Sequence, residues 1–101
     1  MAADEIRKRR DAKVKSHLEQ YAPVWMENEQ VLENEDAVIF DVVFRHPTYG
    51  WVSRRYRYDS FDDVLYYRGQ QSLKEDDVLA IQETPPYINR LQANIPNSYG
   101  G

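Results

Sequence analysis

The 101-residue chain contains no cysteine. That excludes a disulfide scaffold, a thiolate zinc site, an iron–sulfur cluster and a cysteine nucleophile. Glycine is scarce: there are four, and two of them end the chain, so no glycine-rich phosphate loop is available. Long apolar runs are also missing. The longest, Ala37 to Phe44, is interrupted by Asp41 and is too short to span a bilayer. No apolar stretch of signal-peptide length follows Met1–Glu5, and no N-x-S/T sequon occurs. No internal repeat is visible. These absences predict a cytoplasmic protein with no membrane span.

Catalytic constellations are missing too. The two histidines, His17 and His46, are far apart in sequence. His17 sits among basic residues, and His46 precedes Pro47 in a turn, where its ring can bond nearby backbone. Neither has a nameable nucleophile or orienting partner. The carboxylate doublets Glu35-Asp36, Asp62-Asp63 and Asp76-Asp77 are poor acid/base pairs, because adjacent side chains on a helix or strand diverge. No calcium-loop spacing, G-x-S-x-G or H-E-x-x-H motif is present. No enzyme activity, metal or cofactor is expected.

What the chain does hold is aromatic and charged residues. It has eight tyrosines, two tryptophans and three phenylalanines, and 30% of its residues are charged. The mean hydropathy of −0.79 requires much of the chain to stay wet. The net charge of −4 is unevenly distributed. Residues 1–20 carry +2, residues 21–44 carry −6, residues 45–58 carry +4 and residues 59–83 carry −5. Such alternation patterns a surface; it is not a polyanionic or polycationic tail.

The size predicts one domain, an α+β unit over residues 1–88 with an extended or disordered tail over 89–101. Asp4 to about Tyr21 is predicted helical. Acids lie at its start, Val14, Leu18 and Tyr21 form an apolar stripe, and Pro23 stops it. Val24–Asp36 is ambiguous up to a turn at Asn34–Asp36. Ala37–Arg45 is a clear strand with Val38, Phe40, Val42 and Phe44 on one face. A turn at His46–Gly50 leads to a returning strand, Trp51–Tyr58. Val52, Arg54, Tyr56 and Tyr58 point one way along it, and Trp51, Ser53, Arg55 and Arg57 the other. Beyond Ser60 a short helix ended by Gly69 is expected. A second helix is expected to run from a capping box at Ser72–Glu75 to about Glu83. The alternative makes Val64–Leu73 and Val78–Thr84 strands of a small, mostly β barrel. Tyr87 and Ile88 should pin the start of the tail to the body. The hairpin needs a further strand to be stable, drawn from Val24–Leu32, from residues 78–84 or from a second copy of the chain.

The segment Arg54-Arg55-Tyr56-Arg57-Tyr58 stands out, with Tyr66-Tyr67-Arg68 after it. Arginine interleaved with tyrosine on a strand suits phosphate neutralisation and base stacking. Strand alternation, however, divides the arginines between two faces, and Asp41 and Asp59 are within reach to pair with them. Arginine and aromatic residues are also enriched at protein interfaces. The expectation is a non-enzymatic protein-interaction module, a small accessory or regulatory subunit. It would bind another protein, or a second copy of itself, through Trp51, Arg54, Arg55, Arg57 and Tyr49 of the hairpin and Arg9 and Arg10 of the basic helix. Nucleic-acid binding through the same hairpin is the alternative.

Overall fold

The computed structural model describes residues 3–89. Its elements are α1 (Ala3–Leu18), β1 (Trp25–Leu32), β2 (Ala37–His46), β3 (Gly50–Asp59), β4 (Val64–Ser72) and α2 (Glu75–Gln82). Single 3₁₀ turns at Glu19–Tyr21 and Glu33–Glu35 join α1 to β1 and β1 to β2. The strands form one antiparallel sheet in the order β1-β2-β3-β4. The sheet is open, so the α+β class holds and the barrel alternative does not. The tail expected over 89–101 lies, from residue 90 onward, outside the described residues.

The core follows from alternation. Val38, Phe40, Val42 and Phe44 of β2 stand beside Tyr58, Tyr56, Arg54 and Val52 of β3 in direct register. Ile6, Val14 and Leu18 of α1 close this face, four and eight residues apart as a helix stripe requires. The hairpin turn is shorter than expected. His46 pairs with Gly50, and only Pro47–Tyr49 lie between the strands. Gly50 has φ of 73°, a conformation that glycine adopts without steric cost. The His46 ring completes the turn, its Nδ1 accepting from the amides of Thr48 and Tyr49 at 3.0 and 3.3 Å.

The ambiguous segment after Val24 is β1, which supplies the strand the hairpin needed. Its register shifts between Glu27 and Gln30, and Asn28 there has φ of 54°. This irregularity lets successive polar side chains reach in different directions. Asn28 Nδ2 donates to Asp41 Oδ2 at 2.8 Å. Glu29 accepts from Arg7 and Arg10 of α1 at 2.7 and 2.6 Å.

Residues 60–72 depart from the expected helix. Val64–Ser72 is a nine-residue strand paired with β3. Ser60 does not cap a helix: it is buried, and both its amide and its hydroxyl donate to the Asp36 carbonyl. Asp59 instead accepts from the amides of Phe61 and Asp62 in the turn. With the cap used elsewhere, the β-branched and aromatic content of Val64, Tyr66 and Tyr67 favours the strand. The strand alternative for 64–73 therefore holds, whereas that for 78–84 does not: α2 is helical. The expected capping box is also absent, because Ser72 ends β4 and the capping position, Lys74, makes no side-chain bond. Three acids in the first turn of α2, Glu75, Asp76 and Asp77, complement the helix dipole in its place.

After α2 the chain returns across the molecule as a strap. Trp25 Nε1 donates to the Thr84 carbonyl at 2.9 Å. Val24 and Ile88 exchange backbone hydrogen bonds of 2.7 and 2.9 Å. The Tyr87 hydroxyl donates to Asp11 of α1. Tyr87 and Ile88 thus do anchor the segment to the body, as expected.

Candidate functional site: the second sheet face and the groove beside Trp51

The face of the sheet away from α1 carries Asp41, Val43 and Arg45 of β2 beside Arg55, Ser53 and Trp51 of β3. The α2 helix covers one end of it, with Val78 buried. Trp51 and Trp25 meet there, ring centroids 6.0 Å apart. Trp25 is buried and Trp51 half-buried.

Trp51 forms the floor of a groove of about 490 Å³ between the hairpin turn and α2, lined also by Tyr49, Leu73, Val78, Leu79 and Glu75. Tyr49 is 63% exposed and Leu79 56% exposed, so two large apolar side chains stand at its rim. Val78 and Leu79 are adjacent on a helix, and only one of them can face the sheet. That pair is the sequence signal for an outward apolar residue. The surrounding charge is acidic: Glu75, Asp76, Asp77 and Glu83 lie between residues 72 and 84, with Lys74 the one base. On the other side of Trp51 a wider cleft of about 970 Å³ runs past Arg45, Pro47 and Pro23. His46 lies there between Tyr21 and Tyr49, at centroid distances of 6.0 and 4.7 Å.

Farther along the face, Arg55 and Asp41 form a two-point pair. Nε and Nη2 of Arg55 donate to Oδ1 and Oδ2 of Asp41 at 2.7 and 3.1 Å. The Asp41 side chain is buried and also accepts from Asn28. Burial pushes this carboxyl up, but the hydrogen bonds from Arg55 and Asn28 outweigh it and hold it below its ordinary 3.8. A carboxylate depressed in the folded state contributes stability above its ordinary pKa and loses it as pH falls through the depressed value. Asp41→Asn should therefore cost about 1–2 kcal/mol at neutral pH. The deficit should shrink as pH falls below about 3.9, where the unfolded carboxyl takes up its proton. Urea titrations of both proteins at neutral and acid pH check this; an equal deficit at both would exclude the charged pair as its source.

The residues singled out in the sequence are only partly brought together. Trp51, Arg55 and Arg57 do share the outer face, and Tyr49 is at its end. Arg57 pairs with Glu35 at 3.3 Å and approaches Asp59 at 3.9 Å. Arg54 is on the opposite face, donating to Gln70 and to the Tyr56 hydroxyl, with its guanidinium 5.1 Å from the Phe44 ring. Arg10 is not a surface residue: it is 2% exposed, clamped between Phe40 and Tyr87 and paired with Glu29 and Asp11. Arg9 is partly exposed on α1, away from the groove residues. Of the tyrosines that base stacking would use, Tyr56 and Tyr58 are buried, at 2% and 0% exposed, whereas Tyr66 and Tyr67 are exposed. Burial and the hydrogen bond to Asp63 push the Tyr58 hydroxyl up to about 12.

Among the described residues no group of three or more histidine, aspartate or glutamate side chains is placed to hold a metal ion. No helix among them is long and apolar enough to cross a membrane. Comparison with protein-family models, with curated proteins and with solved structures finds no match for this chain.

Proposed function

We propose that this chain is a non-enzymatic protein-interaction module whose docking site is the groove between the hairpin turn and α2. One observation carries the proposal: an apolar floor of Trp51, Leu73 and Val78 is left open beneath two exposed apolar rim residues, Tyr49 and Leu79. Half-buried aromatic residues in a groove are the usual anchors of protein interfaces. The occupant is a partner segment with an apolar anchor side chain flanked by lysine or arginine, since Glu75 lines the groove and the segment 74–83 that forms one side of it carries four acids against the single base Lys74. This moves the site from the arginines toward the end of the hairpin: Trp51 and Tyr49 stay in it, while Arg55 and Arg57 are engaged with Asp41, Glu35 and Asp59. Their charges are largely spent within the sheet.

A displayed library of random peptides, selected on the purified protein, tests the proposal. The expected outcome is enrichment of sequences with one large apolar residue next to basic residues. Leu79→Glu should reduce binding of the selected peptides about tenfold or more. Leu79 is exposed, so that variant should retain its far-UV circular dichroism. Failure to enrich any such pattern, or binding indifferent to Leu79→Glu, would overturn the assignment.

A further inference from the structure

The two edges of the sheet are treated differently. β1 is interrupted by its irregularity at Asn28, carries Glu27 and Glu29, and is paired at its Val24 end by Ile88 of the strap. Irregularities, charges and covering segments are the usual devices that prevent a strand from recruiting another. Among the described residues the first half of β4 has none of them. Val64-Leu65-Tyr66-Tyr67 is uncharged, rich in strand-forming residues and, among those residues, paired only with β3. Its side chains are open: Val64 is 38% exposed, Tyr66 43% and Tyr67 60%, while Phe61 in the preceding turn is 83% exposed. The register shift on β4 comes only afterwards, opposite Arg55 and Tyr56.

We infer that this edge pairs with the same edge of a second copy, antiparallel, to make a continuous eight-stranded sheet. Self-complementarity singles out this occupant. In an antiparallel pair of identical strands aligned at Leu65, Leu65 meets its own symmetry mate. Val64 then stands opposite the partner's Tyr66, and Tyr66 opposite the partner's Val64. The same alignment carries Arg68 past the end of the partner's strand to the turn that holds Asp62, within reach of an arginine side chain, twice over by symmetry. Arg68 and Asp62 are both exposed, and neither side chain has an ion-pair partner among the described residues. Asp63, by contrast, is occupied by Tyr58 and Lys13. The apolar run 64–67 is thus preceded by Asp62, in the turn before β4, and followed by Arg68, at the register shift, so antiparallel self-pairing brings opposite charges near each other and parallel pairing does not. The edge lies at the Asp59 end of β3 and the Trp51 groove at the other end, so a dimer leaves the groove open.

Sedimentation of the full chain over roughly 1–300 μM is the test, a range set by the modest contact that one short edge offers. The average mass should rise from 12.0 kDa toward twice that value. Asp62→Arg and Arg68→Asp, each alone, oppose like charges at two symmetric places and should weaken association about tenfold. The double variant should restore it, with circular dichroism unchanged in all three. A protein that stays at monomer mass throughout overturns the inference, whether or not some other extended peptide binds the edge. So does a dimer whose strength ignores the charge swaps. Neither outcome bears on peptide binding at the groove, which is read separately.

Discussion

Replacing Arg10 with alanine is expected to cost about 3 kcal/mol, the scale for breaking a buried ion pair from one side. The guanidinium is 5.0 Å from the Phe40 ring and 5.9 Å from the Tyr87 ring. It donates to Glu29 and to Asp11 at 2.6 Å each, and its Nη1 is buried with no hydrogen-bond partner among the described residues. Burial works against this charge, but the bonds to Glu29 and Asp11 outweigh it and keep the group charged. Two kinds of loss are therefore mixed. One is the packing of the side-chain stem between two aromatic rings, and the other is the pairing with Glu29 and Asp11, which retain Arg7 and the Tyr87 hydroxyl respectively. Arg10→Met separates them: it keeps the apolar volume and removes the charge. Because buried ion pairs contribute little net stability over an apolar group of similar shape, the methionine variant should recover more than half of the alanine deficit. Urea unfolding of the three proteins reads the difference directly. Equal losses for alanine and methionine would assign the whole effect to charge.

Arg10 also shows where the sequence misleads. Arg7-Lys8-Arg9-Arg10 looks like one solvated basic run, yet residue 10 is four positions from both Ile6 and Val14 and falls on their stripe. Its place in the core was legible from periodicity; its charge argued the other way. What stabilises it there comes from Glu29, nineteen residues later, Phe40 and Tyr87, and no local rule connects those positions.

The hairpin was readable because strand alternation, a Pro–Gly turn and β-branched residues agree over residues 37–58. Helix α1 was readable for a similar reason. Residues 60–72 were not, because Ser60-Phe61-Asp62-Asp63 carries a good helix-start signal whose serine is claimed by the Asp36 carbonyl. A long-range contact overrode a local preference. The candidate groove was legible only as its parts. Trp51 and Tyr49 stand out by composition, but Leu73, Val78 and Leu79 reach them only because α2 folds back over the sheet. The Arg55–Asp41 pair was foreseeable from the hairpin register; Asn28 as its third member depends on the irregularity in β1.

Ile88→Ala is expected to destabilise the fold by about 3 kcal/mol, the middle of the range for removing a large buried aliphatic side chain. Ile88 is 5% exposed and packs with Val24, which is fully buried. In a domain of this size such a loss lowers the melting temperature by roughly 15 °C. Removing the chain after Glu83 should do more than that, and of a different kind. It deletes the backbone pair between Val24 and Ile88, the Thr84 acceptor of the Trp25 indole and the Tyr87–Asp11 bond. Part of this loss is offset because the truncated chain no longer bears the entropic cost of ordering the strap. The edge of β1 at Val24 is then uncovered, and the truncated chain should associate more readily than the full one. Sedimentation separates this new association from that at β4, because Asp62→Arg weakens pairing at β4 and leaves contacts through β1 untouched. If Asp62→Arg returned the truncated protein to monomer, the strap would stabilise the fold without guarding its edge.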